Sequence, residues 1–231
     1  ALQYMNEYDY RAANIEIRSV LRSNPDNMQA RLMLANISLQ LNDPDSARKE
    51  LLRAANLGAP AEEIQVLNLR VLSLNGQYGE MLAALATADP GIPQPANYRF
   101  RGEALLGMRN ADAARQNYSD WLEAEPGSID AKVGLARADS VAGKIDAAIE
   151  TLEQVLEVDA EHAGAWQTMG ALLHMRGEYA AARDAYRASL DAYSPSESIT
   201  QYLTTLLGLA DAEIMLQNAD EARRINNELN R

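Results

Sequence analysis

The chain has 231 residues, with 21 Lys plus Arg against 33 Asp plus Glu, for a formal charge of −12. That balance argues against nucleic acid, whose phosphates call for clustered Lys and Arg, and its simplest consequence is solubility. Zero Cys excludes disulfides and thiolate metal sites, and no apolar run is long enough to predict a membrane-spanning helix.

Apolar residues make up 47% of the chain but aromatics only 6%, Ala and Leu supplying most of the rest. Both are cheap to place in a helix, so the composition favours helices. A globular chain of this length would form one or two domains. An array of repeats would be a single domain that grows by addition.

The chain opens on ALQYMNEYDY, which has neither the basic stretch nor the apolar core of a signal peptide. It falls inside a helix pattern and reads as a mature or trimmed end. Residues 1–27 read as a partial unit. Ala1 to Glu7 fit the end of a first helix, and Tyr10, Ala13, Ile17, Val20 and Pro25 fit a second. A full unit follows over 28–61, with Leu34, Ala35, Ala47, Leu51 and Ala54, stopping at Gly58-Ala59-Pro60. The next, over 62–94, carries Leu72, Gly76, Tyr78, Met81 and Leu85 and ends in ADPGIPQP. The unit over 95–128 shows Tyr98, Gly102, Leu105, Ala114, Tyr118, Trp121 and Pro126. The unit over 129–162 shows Leu135, Ala136, Gly143, Ala148, Leu152 and Val155. The clearest unit covers 163–196, with Trp166, Met169, Gly170 and Leu173, then Tyr179, Ala182, Tyr186 and Ser189, and a stop at Pro195. The starts at Pro95, Ile129 and Ala163 are 34 residues apart.

The C-terminal part leaves the period. Ala222 fits a small position and sets the unit's start near Leu203, a step of 40. Glu197 to Leu216 therefore predicts one extended first helix. Asn226 stands where a large apolar residue is expected, so 197–231 reads as an atypical helix pair.

Each unit is a helix, a tight turn and a second helix. Pro25, Pro60, Pro93, Pro126 and Pro195 fall where second helices must stop. Gly76, Gly143 and Gly177 fall at the inner turns, where a left-handed backbone costs Gly little. Small residues should let the two helices touch: Ala35 with Ala47, Gly102 with Ala114, Ala136 with Ala148, Gly170 with Ala182. Leu51, Leu85, Tyr118, Leu152 and Tyr186 should fill the space between units. The unit at Glu62 has Leu69 and Met81 in its small positions, so its helices should stand wider apart.

The pattern from Trp166 to Pro195 resembles the tetratricopeptide repeat (TPR), whose period is about 34 residues. The resemblance implies an all-α, right-handed superhelical solenoid, with about six full or near-full units and a partial N-terminal one, forming a single domain over 1–231. It also implies a concave face lined by the first helices, whose positions 2, 5, 9 and 12 to 13 meet ligands. Those positions hold Gln29, Leu32, Asn36 and Gln40, then Arg70 and Ser73. They continue with Arg99, Glu103 and Leu106, then Arg137 and Ser140, then Gln167, His174 and Met175. Arg70, Arg99 and Arg137 would form a basic stripe suited to carboxylates through forked hydrogen bonds. The alternative is local pairing, as of Arg99 with Glu103. The expected partner is an acidic protein or peptide, with no nucleic acid.

No catalytic pattern is present: there is no phosphate-binding Gly-rich loop, no G-x-S-x-G and no H-E-x-x-H. His162 and His174, the only histidines, are too few for a metal site. Acidic pairs such as Glu62–Glu63 and Asp43–Asp45 suit helix starts. Asn36-Ile37-Ser38 and Asn117-Tyr118-Ser119 match the glycosylation triplet, but lie inside predicted helices. Trp121, Trp166, Tyr118 and Tyr186 stand at repeat signature positions and are expected in the core. The sequence therefore predicts no catalysis, no cofactor and no metal.

A narrower resemblance lies in residues 8–60, from YDYRAANIEIRSVLRSNP to the Gly58-Ala59-Pro60 stop, and in the variant unit around Gln77-Tyr78-Gly79-Glu80. These resemble the PrsT-type TPR proteins of bacterial exosortase/PEP-CTERM systems, which accompany exopolysaccharide production and protein sorting. Members of that group are typically longer and exported, so the resemblance implies a fragment or short relative, a periplasmic or envelope location, and a non-enzymatic assembly role. Other readings are the substrate-reading arm of a larger enzyme or a co-chaperone that grips C-terminal peptides. The co-chaperone type needs a Lys/Asn clamp at positions 5 and 9 of consecutive units, and at position 5 this chain has Leu32, Val66, Arg99, Val133 and Gln167, so the clamp is absent.

Overall fold

The computed structural model describes Tyr4 and residues 9–87, 94–193 and 199–229. Among the described residues there are thirteen α-helices and no strand. The helices pack into two compact units, Ala1–Met108 and Arg109–Arg231. The border falls inside the repeat read at 95–128. Pro93, Pro195 and the segment Ala1 to Glu7, apart from Tyr4, lie outside the described residues.

The first unit holds α1 (Tyr10–Ser23), α2 (Met28–Gln40), α3 (Pro44–Asn56), α4 (Ala61–Leu74), α5 (Tyr78–Thr87) and α6 (Gln94–Gly107). Short polar side chains start the first three. Asp9 accepts from the Ala12 N–H at 2.8 Å, Asn27 from Ala30 at 3.0 Å and Asp43 from Ser46 at 3.0 Å, each satisfying one of a helix's orphan donors. Pro44 at the first position of α3 loses nothing, since its missing N–H would have had no partner. Helix α2 buries Ala30, Leu32, Leu34, Ala35, Ile37 and Leu39, residues from every side of it, because α1, α3 and α4 all pack on it. Ala35 and Ala47 are fully buried between α2 and α3, and Leu51 joins Leu67 and Val71 of α4 in the same core.

The repeat at Glu62 behaves as its side chains dictate. Leu69 and Met81 are buried together with Leu85, Phe100 and Ala104. Helices α4 and α5 share fewer close backbone approaches than α2 and α3 do, the direction expected from Leu69 and Met81 in their small positions.

The second unit holds α7 (Ala111–Ala124), α8 (Ile129–Val141), α9 (Ile145–Val158), α10 (Ala163–Met175), α11 (Tyr179–Asp191), α12 (Ile199–Met215) and α13 (Ala219–Leu229). Ala136 and Ala148 are fully buried in one cluster with Leu152, Val155, Met169 and Leu172. Gly170 is buried, but its essential neighbour is an aromatic ring as much as Ala182. A Cβ built on Gly170 would lie 2.7 Å from the Tyr186 ring, and one on Gly208 of α12 would lie 2.5 Å from it. Tyr186 is thus wedged between glycines of its own repeat and the next. Tyr118 closes on Gly134 in the same way, and Tyr78 on Gly107 in the first unit.

The long α12 matches the extension expected from the 40-residue step; Glu197 and Ser198 lie outside the described residues. The place expected for Asn226 is filled otherwise. Asn226 is exposed, and Ile225 beside it is buried against Ala182, Tyr186 and Leu206. A one-residue shift of the apolar position restores the core that the register denied. Trp121 is buried as expected, but Trp166 is only partly so, donating from Nε1 to the Ala160 carbonyl at 2.8 Å.

The inner turns recur in left-handed backbone. Gly76, Gly143 and Gly177 have φ of 65°, 78° and 80°, and Asn42, Arg109 and Gln217 occupy the corresponding places at 55°, 57° and 62°. The position belongs to the turn and not to glycine alone.

Candidate functional site

Five of the expected ligand-facing residues meet in the first unit, each from the first helix of a successive repeat. Asn36 comes from α2, Arg70 and Ser73 from α4, and Arg99 and Glu103 from α6. The Arg70 guanidinium donates from Nη1 to the Asn36 Oδ1 at 2.8 Å. The Ser73 hydroxyl donates to the Glu103 carboxylate. Helical spacing places these side chains on one face of each helix, so the row follows from the repeat itself.

The charges are unevenly matched. Arg70 bonds a neutral amide and is half-buried. Burial pushes its pKa below the ordinary arginine value, the nearby Arg99 charge pushes the same way, and Glu103 opposes both. Arginine stays protonated all the same. The Arg99 guanidinium carbon lies 4.9 Å from the centre of the Phe100 ring. Among the described residues, neither arginine has a carboxylate within ion-pair distance. The alternative, local pairing of Arg99 with Glu103, does not form among the described residues, where Glu103 accepts from Ser73.

A cavity of about 530 Å³ opens beside this row, with Gln29, Leu32, Asn36, Val66, Leu67 and Arg70 in its wall and Glu62 and Glu63 also lining it. Its apolar wall with a few convergent polar groups has the character of a ligand pocket. A carboxylate beside Arg70 would replace a neutral acceptor by a charged one, the stronger partner for a guanidinium. Gln40 is half-buried on α2 and lies outside the cavity wall.

The remaining expected residues belong to the second unit. Arg137 is exposed, with no ion pair among the described residues, and Gln167 is half-buried. The His174 ring stands edge-on to Tyr179, with centroids 5.2 Å apart, and its Nδ1 is buried with no hydrogen-bond partner among the described residues. His162 is a helix cap. Its Nδ1 accepts from the Ala165 N–H at 3.1 Å, while Nε2 lies 3.6 Å from Asp130, whose hydrogen bond draws the imidazole pKa upward against the effect of burial. Among the described residues no group of three or more His, Asp or Glu is placed to hold a metal ion. No described helix is long and apolar enough to cross a membrane.

Sequence reasoning missed a set of buried carboxylates. Glu50 is 7% exposed and held by Arg31 at 2.5 Å and Arg53 at 2.7 Å. Asp139 is 5% exposed beside Arg115 at 2.5 Å. Glu213 is 1% exposed and accepts from Arg187 and from the Asn218 amide, each at 2.7 Å. A signal existed for the last two. In the stretches Gly134 to Asp139 and Gly208 to Glu213 an acid stands five places after a glycine, inside a helical pattern. That acid stands amid apolar residues.

A family model for the tetratricopeptide repeat matches residues 4–70 and 105–173. No curated protein matches the sequence. Among solved structures, a tetratricopeptide repeat protein from Parabacteroides merdae aligns over 99% of this chain and 89% of its own, at 15% identity and a TM-score of 0.68. PilW, a widely conserved type IV pilus biogenesis factor, aligns over 87% of this chain and 94% of its own, at 25% identity and a TM-score of 0.61. The Cut9–Hcn1 hetero-tetramer of the APC/C aligns over 96% of this chain and 44% of its own, at 14% identity and a TM-score of 0.67.

Proposed function

Because this chain belongs to the tetratricopeptide repeat family, a family of protein–protein interaction scaffolds, we propose that it grips a carboxylate-bearing protein or peptide on the first-helix face of its first unit. The observation that carries this reading is Arg70 in the wall of a cavity of about 530 Å³, with Arg99 near it, two guanidinium groups with no carboxylate within ion-pair distance among the described residues. In this reading the chain performs no reaction. Its contribution is to hold a partner in place.

The setting we propose is assembly at the bacterial cell envelope, in the periplasm or on its boundary. The stretch from Tyr8 to Pro60 supports a role in exopolysaccharide export or exosortase-linked sorting, by its resemblance to the PrsT-type proteins. A second setting is supported by the likeness to PilW over most of both chains, and would place the scaffold in pilus assembly.

Affinity capture from the native host tests both parts. Wild type should retain a partner that Arg70→Ala/Arg99→Ala loses by about tenfold or more, the scale of one or two charge-assisted hydrogen bonds. Recovery of polysaccharide-export or sorting components would favour the first setting and pilus components the second. Equal retention by the double variant would remove the site.

A further inference from the structure

A second pocket lies in the first unit and shares no lining residue with the first. It has a volume of about 560 Å³, and helices α1, α2 and α3 supply its walls. Its floor is apolar: Ile15, which is 70% exposed, Leu21 and the buried Leu34. Around it stand four arginines, Arg18, Arg22, Arg31 and Arg53, and a single acid, Glu50.

The charges around this floor do not cancel. Glu50 has both carboxylate oxygens taken, Oε2 by Arg31 and Oε1 by Arg53, so it already shares its charge between two cations. Arg18 donates from Nε to the neutral Asn14 Oδ1 at 2.5 Å. Its charge also reaches Asp43 at longer range, the weakest of the influences lowering that carboxyl's pKa. Among the described residues neither Arg18 nor Arg22 has a carboxylate within ion-pair distance. A chain carrying −12 overall therefore concentrates unmatched positive charge around an exposed isoleucine. Solvated arginines alone would not require an apolar floor, and an apolar contact alone would not gather four cations.

We propose that this pocket is a docking site for an acidic peptide segment of a partner protein, one that carries an apolar side chain next to its Asp or Glu residues. The apolar side chain covers Ile15 and Leu34, and the carboxylates take the free donors of Arg18 and Arg22. The volume accommodates such a short segment, lying within the roughly 300–1,000 Å³ typical of ligand pockets. This site stands apart from the Arg70 site and does not depend on it.

The test uses the full chain and a fluorescein-labelled peptide of about fourteen residues built from Glu, Leu and Ala, followed by fluorescence anisotropy. The peptide should bind, and more weakly at high salt. Arg18→Ala/Arg22→Ala should lower the affinity by about tenfold, and Ile15→Ser by about fivefold. Both arginines and the isoleucine are exposed, so these variants retain the fold, which circular dichroism checks. Arg223→Ala/Arg224→Ala, a pair of exposed arginines on α13 that line neither pocket, should leave binding unchanged, separating a specific site from general charge attraction. Three outcomes would overturn the proposal: no binding, equal binding by the Arg18/Arg22 variant, or equal binding of a peptide in which every Leu is Ala. Displacement by a single-stranded oligonucleotide at lower concentration than by unlabelled peptide would overturn it too, and would reassign the pocket to nucleic acid.

Discussion

Tyr186 shows how much of this fold depends on single atoms. Its ring lies against Gly170 and Gly208, and burial pushes its hydroxyl pKa up to about 12, with Asp211 adding to the effect. A methyl group at either glycine must displace a ring held from both sides. Gly208→Ala should therefore cost about 1–3 kcal/mol, the usual range for overpacking, and Gly208→Ala/Tyr186→Leu should recover part of that loss. Urea denaturation of the single and double variants checks it; additive losses would show that the ring and the glycine are not coupled. The tyrosines at 118 and 186 are readable as core from their spacing. Their glycine partners are not, because spacing reports which side of a helix a residue takes and not which ring closes on it. Asn226 illustrates the same limit. The register points to it, but Ile225 is buried in its place, since a helix end can rotate enough to present the apolar neighbour.

Individual helices are set by their ends. Asp43 caps α3, and its pKa is held below the ordinary carboxylate value chiefly by hydrogen bonds from Ser46, with Lys49 and Arg18 adding to them. A depressed acid stabilises the fold above its unfolded pKa of about 3.9, and that contribution is lost as pH falls through the lower folded value. Asp43→Ala should cost about 1 kcal/mol at neutral pH. The difference in Tm between it and wild type should shrink steadily below about pH 4; a gap independent of pH would mean that the charge plays no part. Caps of this kind are legible, because Asp, Asn, Ser and Pro stand where the periodic pattern restarts. The candidate site is legible only in part. Asn36, Arg70, Arg99 and Glu103 follow from helix position, and the structure gathers them in one unit. That Ser73 would take Glu103 away from Arg99 depends on how far α4 and α6 lie apart, which no spacing within a helix can supply.

At the scale of the whole molecule, stability is the sum of local stacking. In a repeat protein each element rests on its neighbours and not on a shared centre. Ala182, fully buried against α10 and α12, tests this. Ala182→Arg should strip hydrogen-exchange protection from α10, α11 and α12. Protection in α2 and α3, which belong to the other compact unit, should stay within about 0.5 kcal/mol of wild type. Loss of protection throughout would mean one cooperative body. The period of 34 makes the helices legible across nearly all the described residues. The division at Met108 and Arg109 is not, since a repeat with ordinary signature residues gives no sign of where packing is densest.

The enclosed acids Asp139 and Glu213 have a consequence for how near-identical modules find their proper order. Each is met by an arginine from the helix just before it, Arg115 and Arg187. Apolar contacts between repeats discriminate by shape, and these two pairs add discrimination by charge. A module seated on the wrong neighbour at either of these two junctions would strand a carboxylate away from water, a penalty of about 3–5 kcal/mol. The two ion pairs therefore work as keys cut for one lock each, favouring the native neighbour at these two junctions.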